Sequence, residues 1–297
     1  MFEQILFPTD GSDGAAFAID HVLDIAARHG SIVHIINIAE RTENGLRQIR
    51  DTDITALEQE GARIVREAAE QAHQRGVDTV TDVFQGEPYR EIVNYAERHS
   101  FDLVVMPTHG RRGLKRFLLG STTDRVVRRA DVPVLTIQPD DDVEITYPYT
   151  DVLVPTDGSD CANQALTLGV DIVDAEDATL HLFSGIAMSG LGVDMRVDMQ
   201  LEMLEESAHD LLDEAATFAE DAGVEPTSKT VEYGPSIHKA ILTYIEDHDI
   251  DLVVVGTHGQ TGFDRYVLGS VTEYLVRTSP IPVLTVQAPE SDDEGVQ

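Results

Sequence analysis

Three short motifs carry residue types suited to holding an anionic ligand, and each occurs twice. Pro8-Thr9-Asp10-Gly11-Ser12 is matched by Pro155-Thr156-Asp157-Gly158-Ser159, Thr108-His109-Gly110 by Thr257-His258-Gly259, and Gly120-Ser121 by Gly269-Ser270. In the first, Asp10 and Asp157 offer a carboxylate that can accept from an adenine amino group or a ribose hydroxyl, with Thr9 and Thr156 beside it. The competing reading is a helix entrance in which Asp or Ser only caps free backbone N–H groups. In the second, Gly110 and Gly259 let the backbone turn tightly and approach a ligand closely. The competing reading is a plain turn with a half-exposed His109 or His258. A metal there is disfavoured, because no second His or Cys stands at ligand spacing. The third motif opens a helix, where unpaired N–H groups and the helix dipole attract an anion and the serine adds a donor. The alternative is an N-cap without a ligand.

Spacing sharpens the set. In the second copy Gly256, Gly259 and Gly269-Ser270 fall as G-x2-G-x9-G-S. Two glycines at a strand end and a third at a helix start form a phosphate cradle without a catalytic lysine. It is neither a Walker A loop nor a GxGxxG turn; Gly190-Leu191-Gly192 lacks the third glycine. Charge on a bound nucleotide would be met mainly by backbone dipoles. Arg111, Arg112, Lys115 and Arg116 add positive charge in the first copy, and Arg265 is the nearby cation in the second.

The motifs sit in a frame that is itself duplicated. ILFPTDGS (5–12) is matched by VLVPTDGS (152–159), FDLVVMPTHG (101–110) by IDLVVVGTHG (250–259), and VPVLTIQ (132–138) by IPVLTVQ (281–287). Order and spacing are kept, so this is a repeated domain rather than a short solenoid unit. The expected organisation is a first domain over 1–138, an acidic linker over 139–150 with Pro139 and Pro148 as breakers, a second domain over 151–287, and an acidic tail over 288–297. Short β-branched runs at 3–8, 31–38, 77–84, 102–107 and 132–138 suit strands of a parallel sheet covered on both faces. Between them lie amphipathic patterns such as 53–75, with a counterpart near 194–222. Five strands alternating with four helices predict an open α/β sheet with right-handed crossovers, whose ligands bind at the carboxyl ends of the strands. The stretch 188–206 reads as the lead-in to the long helix rather than a flap. Cys161, just inside a helix start, reads as a small core residue rather than a reactive thiol.

Composition excludes several functions. The chain of 297 residues carries 54 Asp+Glu against 21 Lys+Arg, a formal charge of −33. Such a surface repels nucleic acid and anionic membrane. One cysteine rules out an intramolecular disulfide and any CxxC motif. No apolar run reaches the ~18–20 residues of a membrane span. The start, Met-Phe-Glu-Gln, lacks a basic flank before an apolar stretch, so the expected location is the cytoplasm. Only Lys115, Lys229 and Lys239 are lysines. Abundant carboxylates with so little lysine predict a salt-adapted cytoplasm, where self-repulsion is screened; the alternative is an acidic protein from an ordinary cell.

The PTDGS opening, the G-x2-G-x9-G-S block and the closing PVLTV strand resemble the universal stress protein family, over nearly the whole chain and twice. The resemblance implies two tandem five-stranded parallel sheets of order 3-2-1-4-5, flanked by helices, of the adenine nucleotide alpha hydrolase-like type. It implies dimer-like pairing through strands 132–138 and 281–287, with further homodimerisation open. It also implies ATP or another adenine nucleotide, AMP included, with Mg²⁺ arriving on the phosphates. The implied site is Asp157, Gly185, Gly256, Gly259, Gly269 and Ser270 in the second copy, and Asp10, Ile38, Gly110, Gly120 and Ser121 in the first. The first copy departs from the pattern at Pro107, which stands where the first glycine belongs and has no N–H. In the second, Gly185 removes an aliphatic side chain that would pack on an adenine ring. The second copy is expected to be the better site. The resulting function is a nucleotide-binding stress or regulatory protein with little or no hydrolysis. An interaction module of the same fold and a slow ATPase remain as alternatives.

Overall fold

The computed structural model describes residues 1–40, 51–110, 119–140, 143, 145–188, 196–259 and 267–288. The first half runs β1 (Gln4–Pro8), α1 (Asp13–His29), β2 (Ile32–Glu40), α2 (Asp51–Gln74), β3 (Thr79–Gly86), α3 (Pro88–His99), β4 (Leu103–Pro107), α4 (Ser121–Val127) and β5 (Val134–Ile137). The second repeats it as β6 (Asp151–Pro155), α5 (Asp160–Glu176), β7 (Thr179–Ala187), α6 (Arg196–Asp221), β8 (Ser228–Gly234), α7 (Ile237–Asp247), β9 (Leu252–Gly256), α8 (Ser270–Thr278) and β10 (Val283–Val286). β4, β5, β9 and β10 are buried at every position, as continuous apolar strands covered on both faces must be. The first helix of each half starts at a serine. Ser12 accepts from the Ala15 N–H and Ser159 from the Ala162 N–H, satisfying a donor the helix leaves open.

Each half has the expected internal order, but the halves do not form two separate sheets. One ten-stranded sheet runs β3-β2-β1-β4-β5-β10-β9-β6-β7-β8. All pairings are parallel except β5–β10, which is antiparallel through Val283–Thr136, Leu284–Leu135 and Thr285–Val134. The Thr136 hydroxyl donates to the Val283 carbonyl and the Thr285 hydroxyl to the Val134 carbonyl, each at 3.1 Å. A four-residue strand with an open edge in each copy finds its missing neighbour in the other, which removes both edges.

On one face the two halves share a single core. Phe7, Leu23, Val65 and Leu135 share a single packed cluster with Val154, Val170, Leu212 and Leu284. On the opposite face the helices α3 and α4 pack over one cluster, and α7 and α8 over another. The connector is part of the joined face. Tyr149 is buried, and its hydroxyl lies 2.7 Å from His21 Nε2 of α1. Tyr147 donates to Glu176 at the end of α5 and lies 2.7 Å from His29 Nε2, so the second half of the predicted linker is a packed wedge.

Enclosure in this wedge pushes the His21 pKa down to about 4. An unfolded histidine binds its proton near ~6.5. Below that value protons favour the unfolded chain, so His21 makes stability fall as pH drops from ~6.5 to ~4, by roughly 3 kcal/mol, and level off beneath. Urea unfolding in molar KCl across this window should show His21→Gln losing roughly 3 kcal/mol less than the native chain. Equal losses would mean that His21 is protonated in the fold.

Candidate nucleotide-binding crevices

The strands part where the sheet changes direction. β1 pairs with β2 over five positions but with β4 only at Ile5–Leu103 and Leu6–Val104. β6 and β9 likewise pair only at Val152–Leu252 and Leu153–Val253. Beyond these pairs the strands no longer bridge, at the carboxyl ends where open α/β sheets form their ligand crevice. The three duplicated motifs converge on its two copies.

The turn after the first strand is rigidly built. Gly11 and Gly158 have φ of 69° and 75°, a left-handed conformation that other residues resist. Thr9 Oγ1 accepts from the Gly11 N–H and Thr156 Oγ1 from the Gly158 N–H, each at 3.2 Å. The two threonines therefore brace the turn, and each keeps its hydroxyl hydrogen for a further acceptor. Asp10 Oδ1 accepts from the Ser12 N–H and Asp157 Oδ1 from the Ser159 N–H, both at 3.0 Å. The other carboxylate oxygen reaches the glycine of the second motif. A Cβ on Gly110 would lie 2.4 Å from Asp10 Oδ2, and one on Gly259 would lie 2.2 Å from Asp157 Oδ2. These glycines leave room for the carboxylates.

The glycine–serine step is tied to the same strand tip. The Gly120 N–H donates to the Thr108 carbonyl at 2.7 Å and the Gly269 N–H to the Thr257 carbonyl at 2.8 Å. Thr123 and Thr272 donate their hydroxyls to the Pro107 and Gly256 carbonyls. The two glycine amides are thus used within the loop. What remains for an anion is the first turn that begins at Ser121 or Ser270, where no side chain caps the helix. His109 and His258 lie beside the threonines that precede them, at 3.2 and 3.1 Å.

Gly256 has a packing role. A Cβ there would lie 2.7 Å from the Cys161 Cβ and 2.9 Å from the Ala162 nitrogen. The first half exchanges the sizes. Pro107 stands at the strand tip and Gly14 in the helix, where a Cβ would lie 2.5 Å from the His109 carbonyl and 3.5 Å from the Pro107 Cβ. Pro107 is therefore accommodated by Gly14, and Gly256 by Cys161. Cys161 is buried as expected, with Sγ 3.4 Å from His258 Nε2 and accepting from the Ala288 N–H. Gly256→Ala should cost about 2 kcal/mol by overpacking. Because Cys161→Gly removes the side-chain part of this clash and leaves the backbone part, the Cys161 carbonyl carbon at 2.7 Å and the Ala162 nitrogen at 2.9 Å, the double variant should lose somewhat less than the two single losses together. Strict additivity in denaturant unfolding would refute this packing account.

Ile38 and Gly185 lie within β2 and β7 rather than after them, and β2 runs two residues past its predicted end at 38. Ile38 packs against the first half's cluster. In the second half Ile237 fills that space, with its Cγ2 2.9 Å from where a Gly185 Cβ would be. Asn37 was not singled out from the sequence. Buried in β2, it donates Nδ2 to the Thr9 carbonyl at 2.7 Å and so holds the tip of β1. Its signal was a lone amide inside the apolar run IINIA. Arg111, Arg112, Lys115, Arg116, Gly190, Gly192 and Arg265 lie outside the described residues, as does most of the tail.

Among the described residues, no group of three His, Cys, Asp or Glu is placed to hold a metal ion. None of the described helices is long and apolar enough to cross a membrane. A cavity of about 570 Å³ lies at the opposite ends of the strands, lined by Phe2, Ser100, Asp102, Pro133 and Asp171. It sits away from the duplicated motifs.

Comparison with known proteins agrees with this architecture. The model of the universal stress protein family matches residues 1–138 and again 148–287. A universal stress protein of Methanocaldococcus jannaschii is 34% identical over 141 residues, 46% of this chain and 83% of that protein. One from Mycobacterium tuberculosis is 28% identical over 266 residues, 86% of each chain. The crystal structure of a universal stress protein from Archaeoglobus fulgidus superposes with a TM-score of 0.74, at 23% identity, over 96% of this chain and 98% of that one. Two matched copies of one domain, joined through their fifth strands, make this chain a tandem member of the universal stress protein family.

Proposed function

We propose that the chain binds an adenine nucleotide in its strand-tip crevices, the second-half crevice being the stronger, and that it holds this ligand as a regulatory signal with little or no turnover. The observation that carries the reading is the Asp157–Gly259 contact beside the uncapped start of α8. A carboxylate is held in place by the Ser159 N–H, and the residue facing it has no side chain. The Asp157 carboxylate suits the amino or hydroxyl groups of adenosine. The first-turn amides from Ser270 onward suit its phosphates, with any Mg²⁺ carried by the nucleotide. The second half is favoured by its strand tip, since α4 and α8 themselves close at matching positions, the Ala130 N–H on the Val126 carbonyl and the Ser279 N–H on the Leu275 carbonyl. That tip keeps an N–H at Gly256, which by strand alternation faces the side where pairing with β6 has stopped; Pro107 has none. The described part of the loop offers His258 and no lysine, which suits holding more than hydrolysis. The acidic surface suits a salt-rich cytoplasm.

Calorimetric titration of ATP, ADP and AMP in molar KCl, together with mass spectrometry of co-purified small molecules, tests the reading. Binding is expected with product formation too slow to follow over an assay. A folded protein that gives no heat with any of the three would leave the interaction-module alternative. Rapid product release would make it an ATPase.

A further inference from the structure

The residues just ahead of the two glycine–serine steps cross between the halves. Leu268 precedes Gly269 in the second half, yet it is 4% exposed and packed in the first half's cluster with Leu6, Ile36, Val104, Val126 and Val127. Leu119 precedes Gly120 in the first half and packs against the second half's cluster, which holds Leu153, Val255, Leu275 and Val276. The next residue in each loop is bonded to its own half, Gly269 to Thr257 and Gly120 to Thr108. Each glycine–serine step is therefore held between its own strand tip and the core of the other half.

The two attachments close into a ring. Val126 and Val127 belong to α4, whose N-terminus is the first half's glycine–serine step. Leu275 and Val276 belong to α8, whose N-terminus is the second's. Leu268 thus shares a cluster with the helix that forms the other site, and Leu119 does the same in reverse. The seam between them is reinforced by Gln287, which donates to the Val127 carbonyl, and by Arg128 near Glu273 at 3.5 Å. Close-packed cores transmit such displacements because they do not deform smoothly.

We propose that Leu119 and Leu268 are crossed positioning residues. Each sets the anion loop of its own half by seating in the core of the other, and so couples the two loops. The functional consequence rests on the nucleotide reading above; the mechanical one does not. Ordering one loop steadies the leucine that precedes it, hence the opposite cluster, hence the opposite helix start. Occupancy of one crevice then favours occupancy of the other, and the effect is reciprocal.

Amide hydrogen exchange of the full chain in molar KCl tests the mechanics without ligand. In Leu268→Ala, amides 121–127 of the first half should exchange about tenfold faster, and Leu268→Met should restore them. Leu119→Ala should do the same to 270–278. Acceleration confined to the mutated half overturns the proposal. Coupling is then read with Mg·ATP in the Asp10→Ala background, where only the second crevice can fill. Protection should appear at 270–278 and also at 121–127, and Leu268→Ala should remove the remote part and weaken the local one. Purely local protection overturns the coupling. If Mg·ATP, Mg·ADP and AMP protect nothing in either half, the nucleotide reading fails, and the ligand-free exchange still decides whether the leucines cross-link the loops.

Discussion

Gly259→Val should strongly weaken nucleotide binding in the second crevice while leaving the fold standing. The new Cβ would start 2.2 Å from Asp157 Oδ2. That oxygen is the end of a short side chain, so the carboxylate rather than the backbone gives way. It cannot move without releasing the Ser159 N–H held by Oδ1 at 3.0 Å. The affected atoms are at the crevice mouth and not in the core, so the melting temperature should change little. A lost charge-assisted contact together with a bulkier loop should raise Kd by about 100-fold, close to 2.7 kcal/mol. Asp157→Ala should lose a similar factor, and the double variant should lose little more, because both changes remove the same contact. Unchanged affinity in Gly259→Val would show that the ligand, if any, sits elsewhere. Gly110→Ala, facing Asp10 at 2.4 Å, is the matched test in the first half.

Dilution of salt should destabilise the protein more than any single substitution. A formal charge of −33 is spread over one continuous sheet and its helices. At ~0.1 M salt the Debye length is ~10 Å and neighbouring surface carboxylates repel; at ~1 M it is ~3 Å and they do not. Salt also weakens favourable pairs such as Arg63 with Glu60 and Glu67, and Arg75 with Asp20 and Asp24. Exposed pairs of this kind contribute under ~1 kcal/mol each, so repulsion among 54 carboxylates decides the sign. A gain of about 5 kcal/mol, at ~2–4 °C per kcal/mol for domains somewhat smaller than this chain, amounts to ten degrees or more in melting temperature between 0.1 and 2 M KCl. Thermal melts by circular dichroism measure it. A melting temperature that is flat or falls with KCl would contradict the reading of the surface.

Much of the fold was legible because its signals are local. The apolar runs that became β4 and β9, the serines that start α1 and α5, and the glycine–serine steps that open α4 and α8 all depend on neighbours within a few residues. Strand ends were less legible. β2 continues past its expected end at 38 because β3 extends beside it, a long-range partner that hydrophobic pattern does not encode. The duplicated motifs correctly pointed to the strand tips. The work of their individual atoms was hidden: Thr156 braces a turn, Gly256 admits Cys161, and the Gly269 amide is already bonded to Thr257.

By itself, the order of residues determined that there are two copies of one α/β unit, that each presents an acid, two glycines and a helix start at one end, and that the surface is strongly acidic. These follow from periodicity, turn chemistry and charge, which act over short distances or on the whole chain at once. Only the tertiary structure decided the antiparallel register in which the two fifth strands pair, that Tyr147 and Tyr149 wedge into α1 and α5, and that Leu119 and Leu268 pack against opposite cores. Those outcomes depend on which open edge and which cavity meet when two similar surfaces pack, and residues more than a hundred positions apart settle them together.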